Sequence, residues 1–372
     1  MVNRNKSALS ALVFAVVALA LSVTACGAPV EAPTAPDATP SSTPSSHGLF
    51  DTNGDGLITV GLAKMFNGGS WSDAYEQSVK DYFVEANGFK LLFEDAFGSE
   101  EKHLALGDGF ITQGAEVIVI DGAMDDLSRW KPVVMKARDA GVRVIFANSY
   151  GISVDPANND DEFEDLEGYY EFAFRNSMFQ EGQTAAKWLQ DHIASNNMTD
   201  PVKIVHLQIQ CTRDRGRTEA MEAAVKANGW EIVYSDACID RENARRVMGG
   251  FLEQGKGEDF NVIYCERAEF AFGVIDALED AGIDPERYVI ITFDAGELAV
   301  EMVAAGKIDV VVESTPFLGP QLGELIRKSS AGETLPKFIS PDVGYIDASN
   351  AAEVVCREGI CTASKKEFGD WT

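Results

Sequence analysis

Hydrophobic and polar residues alternate along this chain in two rhythms. From Ile58 onward, short continuous apolar runs of strand type ("ITVGLA", "FKLLFE", "EVIVI", "RVIFA") are separated by longer stretches with apolar residues at helical spacing. "WSDAYEQSVKDYFVEA" is one such helix and stops at Asn87-Gly88; another spans Lys102 to Gln113, and a third starts around Asp126. The strands are solid apolar runs, which suits a parallel sheet covered by helices on both faces. A polar interruption, "DPANNDDEFEDLEG", follows. The rhythm then resumes with strands "VKIVHLQI", "WEIVYSDA", "NVIYCE", "YVIITFD" and "IDVVVES". Helical stretches such as "DRGRTEAMEAAVKA", "RENARRVMGGFLEQ" and "AEFAFGVIDALEDA" lie between them. The pattern predicts an α/β protein of two doubly wound parallel-sheet lobes. Such sheets hold ligands beyond the carboxyl ends of their strands, so two facing lobes would make an interdomain cleft.

The N-terminus follows neither rhythm. Arg4 and Lys6 precede the apolar run "ALSALVFAVVALALSV", which has the length and flanks of a secretory signal over residues 1–25. The run ends in "VTAC", which resembles the lipobox of bacterial lipoproteins and puts Cys26 in the place of the lipidated residue. Residues 26–56 are rich in Pro, Ser and Thr and read as an extended tether. The expectation is an extracytoplasmic protein held at the cell membrane by its N-terminal lipid, with a folded body starting near Leu57.

Composition narrows this picture. At 372 residues the chain has room for two domains, and 45% apolar with 24% charged residues is a globular mixture. The net charge of -28 argues against nucleic acid as a partner, because phosphate contacts need clustered Lys and Arg. After Cys26, the cysteines left are Cys211, Cys238, Cys265, Cys356 and Cys361. Outside the cytosol disulfides are expected, the odd number leaves one thiol over, and Cys356 and Cys361 are near enough in sequence to close a small loop. With no CxxC pair and only 4 His, the chain offers little for zinc.

"DTNGDGLITVGL" opens like a calcium loop, with Asp51, Asn53 and Asp55 at alternate positions before Gly56. The twelfth position, which should be a bidentate Glu, is Leu62 within an apolar strand. The stretch therefore reads as a turn, and calcium would need a carboxylate from a remote segment. No other cofactor is implied. The chain has no GxSxG, HExxH or Walker A sequence, so nothing marks it as an enzyme.

Several segments in order resemble the type I periplasmic-binding fold, in particular the ribose- and galactofuranose-binding subunits of bacterial ABC sugar importers. They are "GAEVIVIDG", "VVMKARDAGVRVIFAN", "EGQTAAKWL", "HLQIQCTRDRGRTEAM" and "ITFDAGELAVEMVAAGKIDVVVESTP". The resemblance covers roughly Ile58 to Asp347. It implies a three-segment hinge crossing near Phe172 to Arg175, Glu313 to Thr315 and Val343 to Asp347, about which the lobes close on ligand. Residues 57–173 plus 315–343 would form the N-terminal lobe, and 174–314 plus 344–372 the C-terminal lobe and tail. The implied role is a monomeric solute-binding subunit that takes a sugar or polyol and works with an ABC permease in the membrane. The alternative is a lipoprotein that presents a sugar or quorum signal to a membrane receptor.

A sugar offers apolar ring faces, which stack on aromatics, and a belt of hydroxyls, which pair with amides, carboxylates and guanidiniums. The residues expected in the site are Phe66 and Trp71 after the first strand, Arg215 at the start of a helix, Asp294 at a strand end, Arg267, Ser314 at the second crossing, and Asn176. Lys64, Arg213 and Arg217 are weaker candidates. Asn148 and Ser149 are also expected in the site, where they replace the family's usual Asp-Arg pair; this takes away a charge-assisted contact and points away from a standard ribose site.

Overall fold

The computed structural model describes residues 48–65, 70–123, 127–149, 166–210, 215–257, 259–357 and 359–363. Cys26, Phe66, Cys211 and Arg213 lie outside the described residues. In the first lobe β1 (Ile58–Lys64), α1 (Ser70–Tyr82), β2 (Phe89–Asp95), α2 (Glu100–Thr112), β3 (Val117–Asp121), α3 (Lys131–Asp139), β4 (Arg143–Ala147) and β5 (Ala173–Phe174) follow one another. The chain then crosses to α4 (Met178–Ser195), β6 (Lys203–Ile209), α5 (Gly216–Asn228), β7 (Glu231–Cys238), α6 (Arg241–Leu252), β8 (Val262–Cys265), α7 (Ala268–Asp280), β9 (Val289–Phe293), α8 (Glu297–Ala304) and β10 (Val310–Val312). It returns for α9 (Gly319–Ser330) and β11 (Phe338–Ile339). It crosses once more to β12 (Tyr345–Asp347) and ends in a hairpin of β13 (Val355–Arg357) and β14 (Ile360–Thr362).

The first sheet has the order β11-β5-β4-β3-β1-β2 and is parallel throughout. The second has the order β12-β10-β9-β8-β6-β7, with β12 antiparallel at its edge. The two orders superimpose strand for strand, so β4 is the counterpart of β9 and β3 of β8. The unbroken apolar runs are explained by burial on both faces. In β3, Val117 and Val119 enter one core while Ile118 and Ile120 enter another. In β8, Ile263 and Cys265 face one core while Val262 and Tyr264 face the other. A period of two thus distributes one apolar strand between two helix layers.

Three chain crossings join the lobes. Ala173 and Phe174 still pair with β4, so the first crossing begins at Arg175. The second runs from Glu313 to the start of α9, whose Leu318, Leu322 and Ile326 pack into the first lobe. The third ends at Tyr345, because Tyr345 to Asp347 already pair with β10. The strands at these boundaries, β5 and β12, have only two and three residues.

The turn at Asp51 binds backbone. Asp51 accepts from the amides of Gly54 (2.8 Å) and Gly56 (3.1 Å), Asn53 from Asp55, and Asp55 from Leu57. A remote carboxylate does arrive, Glu116, but it accepts from Thr52 N (2.6 Å), Asn53 N (3.0 Å), Thr59 N (2.9 Å) and the Thr52 hydroxyl. Amide hydrogens aimed at these oxygens are the opposite of what a cation needs. Among the described residues no group of His, Cys, Asp or Glu is arranged to hold a metal ion.

Cys356 and Cys361 are joined in the hairpin. The expectation of a single unpaired thiol does not hold: Cys238 and Cys265 are both free and buried. Cys238 pairs with Ile209 and Cys265 with Leu207, on opposite sides of β6. Two strand spacings alone put them about 9.6 Å apart, and their partners are staggered along β6, so they lie beyond the Cα reach of a disulfide.

Candidate functional site

Strand carboxyl ends of both lobes converge on one cleft of about 700 Å³. On the first-lobe side, register puts Lys64, Asp121 and Ala147 in a row across β1, β3 and β4, with Asn148 following directly. The Asn148 side-chain amide donates to Asp121 at 2.8 Å. Burial pushes the Asp121 carboxyl up to about 7, against the lowering effects of Asn148, Tyr75 and Lys64. The Tyr75 hydroxyl is buried beside that carboxyl, without a hydrogen bond of good geometry. Burial first and Asp121 second hold it well above the usual phenol range. Lys64, fully buried, spends its charge on Glu76 at 2.7 Å.

Asn148 and Asp294 occupy the same place in the two lobes, immediately after β4 and β9, and both adopt the left-handed region (φ 45° and 65°). Asn and Asp tolerate this backbone better than other non-glycine residues. The conformation ends each strand abruptly and leaves a polar side chain at the sheet's carboxyl edge; both residues line the cleft.

On the second-lobe side the centre is Arg217. Its Nε and Nη2 contact Glu181 at 2.8 Å, Nη2 donates to Asp294 at 2.8 Å, Nη1 donates to the Glu266 carbonyl, and the guanidinium lies 4.3 Å from the Phe293 ring centre. Glycine permits this meeting of α4 and α5: a Cβ on Gly182 would lie 2.7 Å from that of Ala220 and 3.0 Å from the Arg217 backbone. Burial raises the Glu181 carboxyl and outweighs the lowering by Arg217; the two carboxylates hold the Arg217 guanidinium above its ordinary range, against its burial. Behind it, Glu266 accepts from Thr218 and Ile209 N and pairs with His206; burial pushes its carboxyl up, but these partners bring it below the ordinary value.

The hinge supplies the floor. Trp71 stacks on Tyr75 (5.7 Å between ring centres, 16° between planes), lines the cleft, and donates its indole N–H to the Ser314 carbonyl at 2.9 Å. Asn176 donates to the next carbonyl, Thr315, at 2.8 Å. Two cleft side chains therefore brace consecutive peptides of the second crossing. Arg175 is buried at the first crossing with its guanidinium 5.6 Å from the Phe338 ring centre. Ile209, Met178, Phe272, Leu298 and Ile360 give the cleft its apolar surface.

Of the residues singled out in the sequence, the cleft gathers Trp71, Asn148, Asn176, Arg267, Asp294 and Ser314. Arg267 caps α7, is exposed, and has no side-chain partner among the described residues. Two are placed elsewhere. Ser149 is buried with its hydroxyl on the Ala147 carbonyl, and Arg215 is an exposed residue 3.6 Å from Glu222. Arg217 takes the cleft position assigned to Arg215. Residues two apart on a helix point about 200° apart, so a two-residue error in where α5 begins exchanges an inward arginine for an outward one. Asp121, Tyr75, Arg175 and Glu181 were not anticipated. Asp121 carried the same signal as Asp294, an acid closing an apolar strand.

A family model described as periplasmic binding protein domain matches residues 60–334. The galactofuranose-binding protein YtfQ of Escherichia coli is 22% identical over 292 residues, 76% of this chain and 85% of that protein. The fructose import binding protein FruE of Bifidobacterium longum is 23% identical over 305 residues, covering 81% of this chain and 88% of its own. A solved Mycobacterium smegmatis protein in complex with β-D-fucofuranose is 27% identical, with a TM-score of 0.59 over 80% of this chain and 93% of that one.

Proposed function

Because the chain belongs to the periplasmic binding protein family, we propose that it is the extracytoplasmic solute-binding subunit of an ABC importer and that it takes a sugar or sugar-like polyol. One observation carries this reading. The two lobes present complementary halves of a sugar site to one cleft: Trp71 stacked on Tyr75, with Asn148 and Asp121, on one side, and the Glu181-Arg217-Asp294 cluster with Arg267 on the other. The aromatic side suits a C–H face of the ring, and the fixed amide, carboxylate and guanidinium groups suit neighbouring hydroxyls. The names of the relatives, galactofuranose-binding and fructose import binding, support the same ligand class. No chemical step belongs to this role. Ligand bridging the lobes favours a closed shape that a permease can recognise. We further propose that Cys26 carries the lipid anchor and that the subunit acts as a monomer.

Thermal-shift screening of the mature protein against pentoses, hexoses, polyols and sugar acids tests the ligand class. A ligand at 100 times its Kd stabilises by about 2.7 kcal/mol, several degrees for a body of this size. Stabilisation by a peptide or lipid with no response to any sugar or polyol would refute the reading. Mass spectrometry of the membrane-extracted protein and a Cys26→Ser variant tests the anchor.

A further inference from the structure

The C-terminal hairpin belongs to neither sheet, yet its contacts span both lobes. Cross-linked by Cys356–Cys361, it is sewn to the second lobe beside Asp294: Cys361 N donates to the Ala295 carbonyl at 2.7 Å, Glu297 N donates to the Gly359 carbonyl at 3.1 Å, and Ile360 bridges to Gly296. Cys361 is buried in that lobe's core. The hairpin is also fastened to the hinge. Buried Glu313, in the second crossing, accepts from the Thr362 hydroxyl at 2.7 Å and from Ala363 N at 3.0 Å. Its last attachment is on the other lobe, where Arg357 makes an ion pair with Asp81 near the end of α1, the helix that carries Trp71. Between these attachments, Gly359 and Ile360 line the cleft.

The attachments are unequal. Those to the second lobe and the hinge are backbone bonds, a buried carboxylate and a core cysteine. Against the first lobe, β14 lies beside α1, and the tie among the described residues is an ion pair with both partners about two-fifths exposed (41% and 42%). Lobe separation about the hinge would carry the hairpin with the second lobe and part it from α1, breaking the Arg357–Asp81 pair. We propose that the disulfide-closed hairpin is an interlobe latch and a wall of the ligand cleft: Arg357 on Asp81 biases the lobes toward closure, and Gly359 and Ile360 then cover one side of the bound solute. This rests on the solute-binding reading for its purpose, but not for its test.

The test uses the ligand-free mature protein, labelled through non-natural residues at the exposed positions Lys90 in the first lobe and Lys226 in the second, with interlobe distances read by single-molecule energy transfer. Arg357→Glu is expected to raise the open-to-closed ratio about 2- to 5-fold, the range for losing one exposed ion pair. Adding Asp81→Arg should restore the wild-type distribution. Salt at 1 M should move the wild type toward the Arg357→Glu distribution, because it screens the pair. An Arg357→Glu distribution identical to wild type, or a charge swap that fails to restore it, would overturn the latch. Since no sugar is present, failure of the sugar assignment registers only in the ligand screen.

Discussion

Replacing Asp121 by Asn should make the protein more stable, and by an amount that depends on pH in a defined direction. Asp121 is buried at the end of β3 and its carboxyl is pushed from an ordinary value of 3.8 up to about 7. The folded state therefore binds a proton that the unfolded state has already released at any pH between those values. The sign follows: this group's contribution is most favourable below about pH 4, falls as pH rises, and levels off above about 7. The difference is about three pH units at about 1.4 kcal/mol each, so the full penalty at pH 8 is on the order of 4 kcal/mol. Asn keeps the shape and an oxygen for the Asn148 amide, but has nothing to ionise. Urea denaturation of both proteins from pH 4.5 to 8, plotted as variant minus wild type, should show a gain that grows with pH at up to about 1.4 kcal/mol per unit and then flattens. Other titrating groups cancel in the difference. A flat difference, or one that falls with pH, would refute the account of a carboxyl kept protonated by burial.

Other perturbations test the remaining parts of the site. Arg217→Met should destabilise by about 3–5 kcal/mol at pH 7, because it leaves buried Glu181 without its cation, and adding Glu181→Gln should recover much of the loss in chemical denaturation. Glu116→Ala should cost about 1–3 kcal/mol by orphaning the amides of Thr52, Asn53 and Thr59, while melting in chelator and in millimolar calcium should coincide. Trp71→Ala should abolish the thermal shift by any sugar found to bind and leave the far-ultraviolet circular dichroism unchanged; retained shift would remove the indole from the site.

The long elements were legible because burial on two faces writes itself as an unbroken apolar run. β1, β3, β8 and β9 all stand where such runs occur. Asp294 was legible as an acid closing one of these runs. What escaped was set by tertiary geometry. The choice of Arg217 over Arg215 depends on the phase of α5 against α4, which the close approach at Gly182 fixes and local sequence does not. Ser149 looked like half of a ligand pair but turns inward onto Ala147, because the left-handed backbone at Asn148 aims only one of the two residues at the cleft. Nothing in the local sequence around Glu181 marks its burial beneath Arg217, which the packing of α4 on α5 decides. The two-residue strands β5 and β11 and the terminal hairpin have too few residues for any period to show.

The central claim is that the two lobes clasp a hydroxylated solute between the Trp71 indole and the Asn148, Arg217 and Asp294 groups. Co-crystallisation with the sugar or polyol that gives the largest thermal shift tests it most directly. The account predicts one molecule in the cleft, a C–H face against Trp71 and hydroxyls within hydrogen-bond distance of Asn148 and of the Arg217–Asp294 pair. Density for that ligand at another surface, with solvent between Trp71 and Arg217, would contradict it.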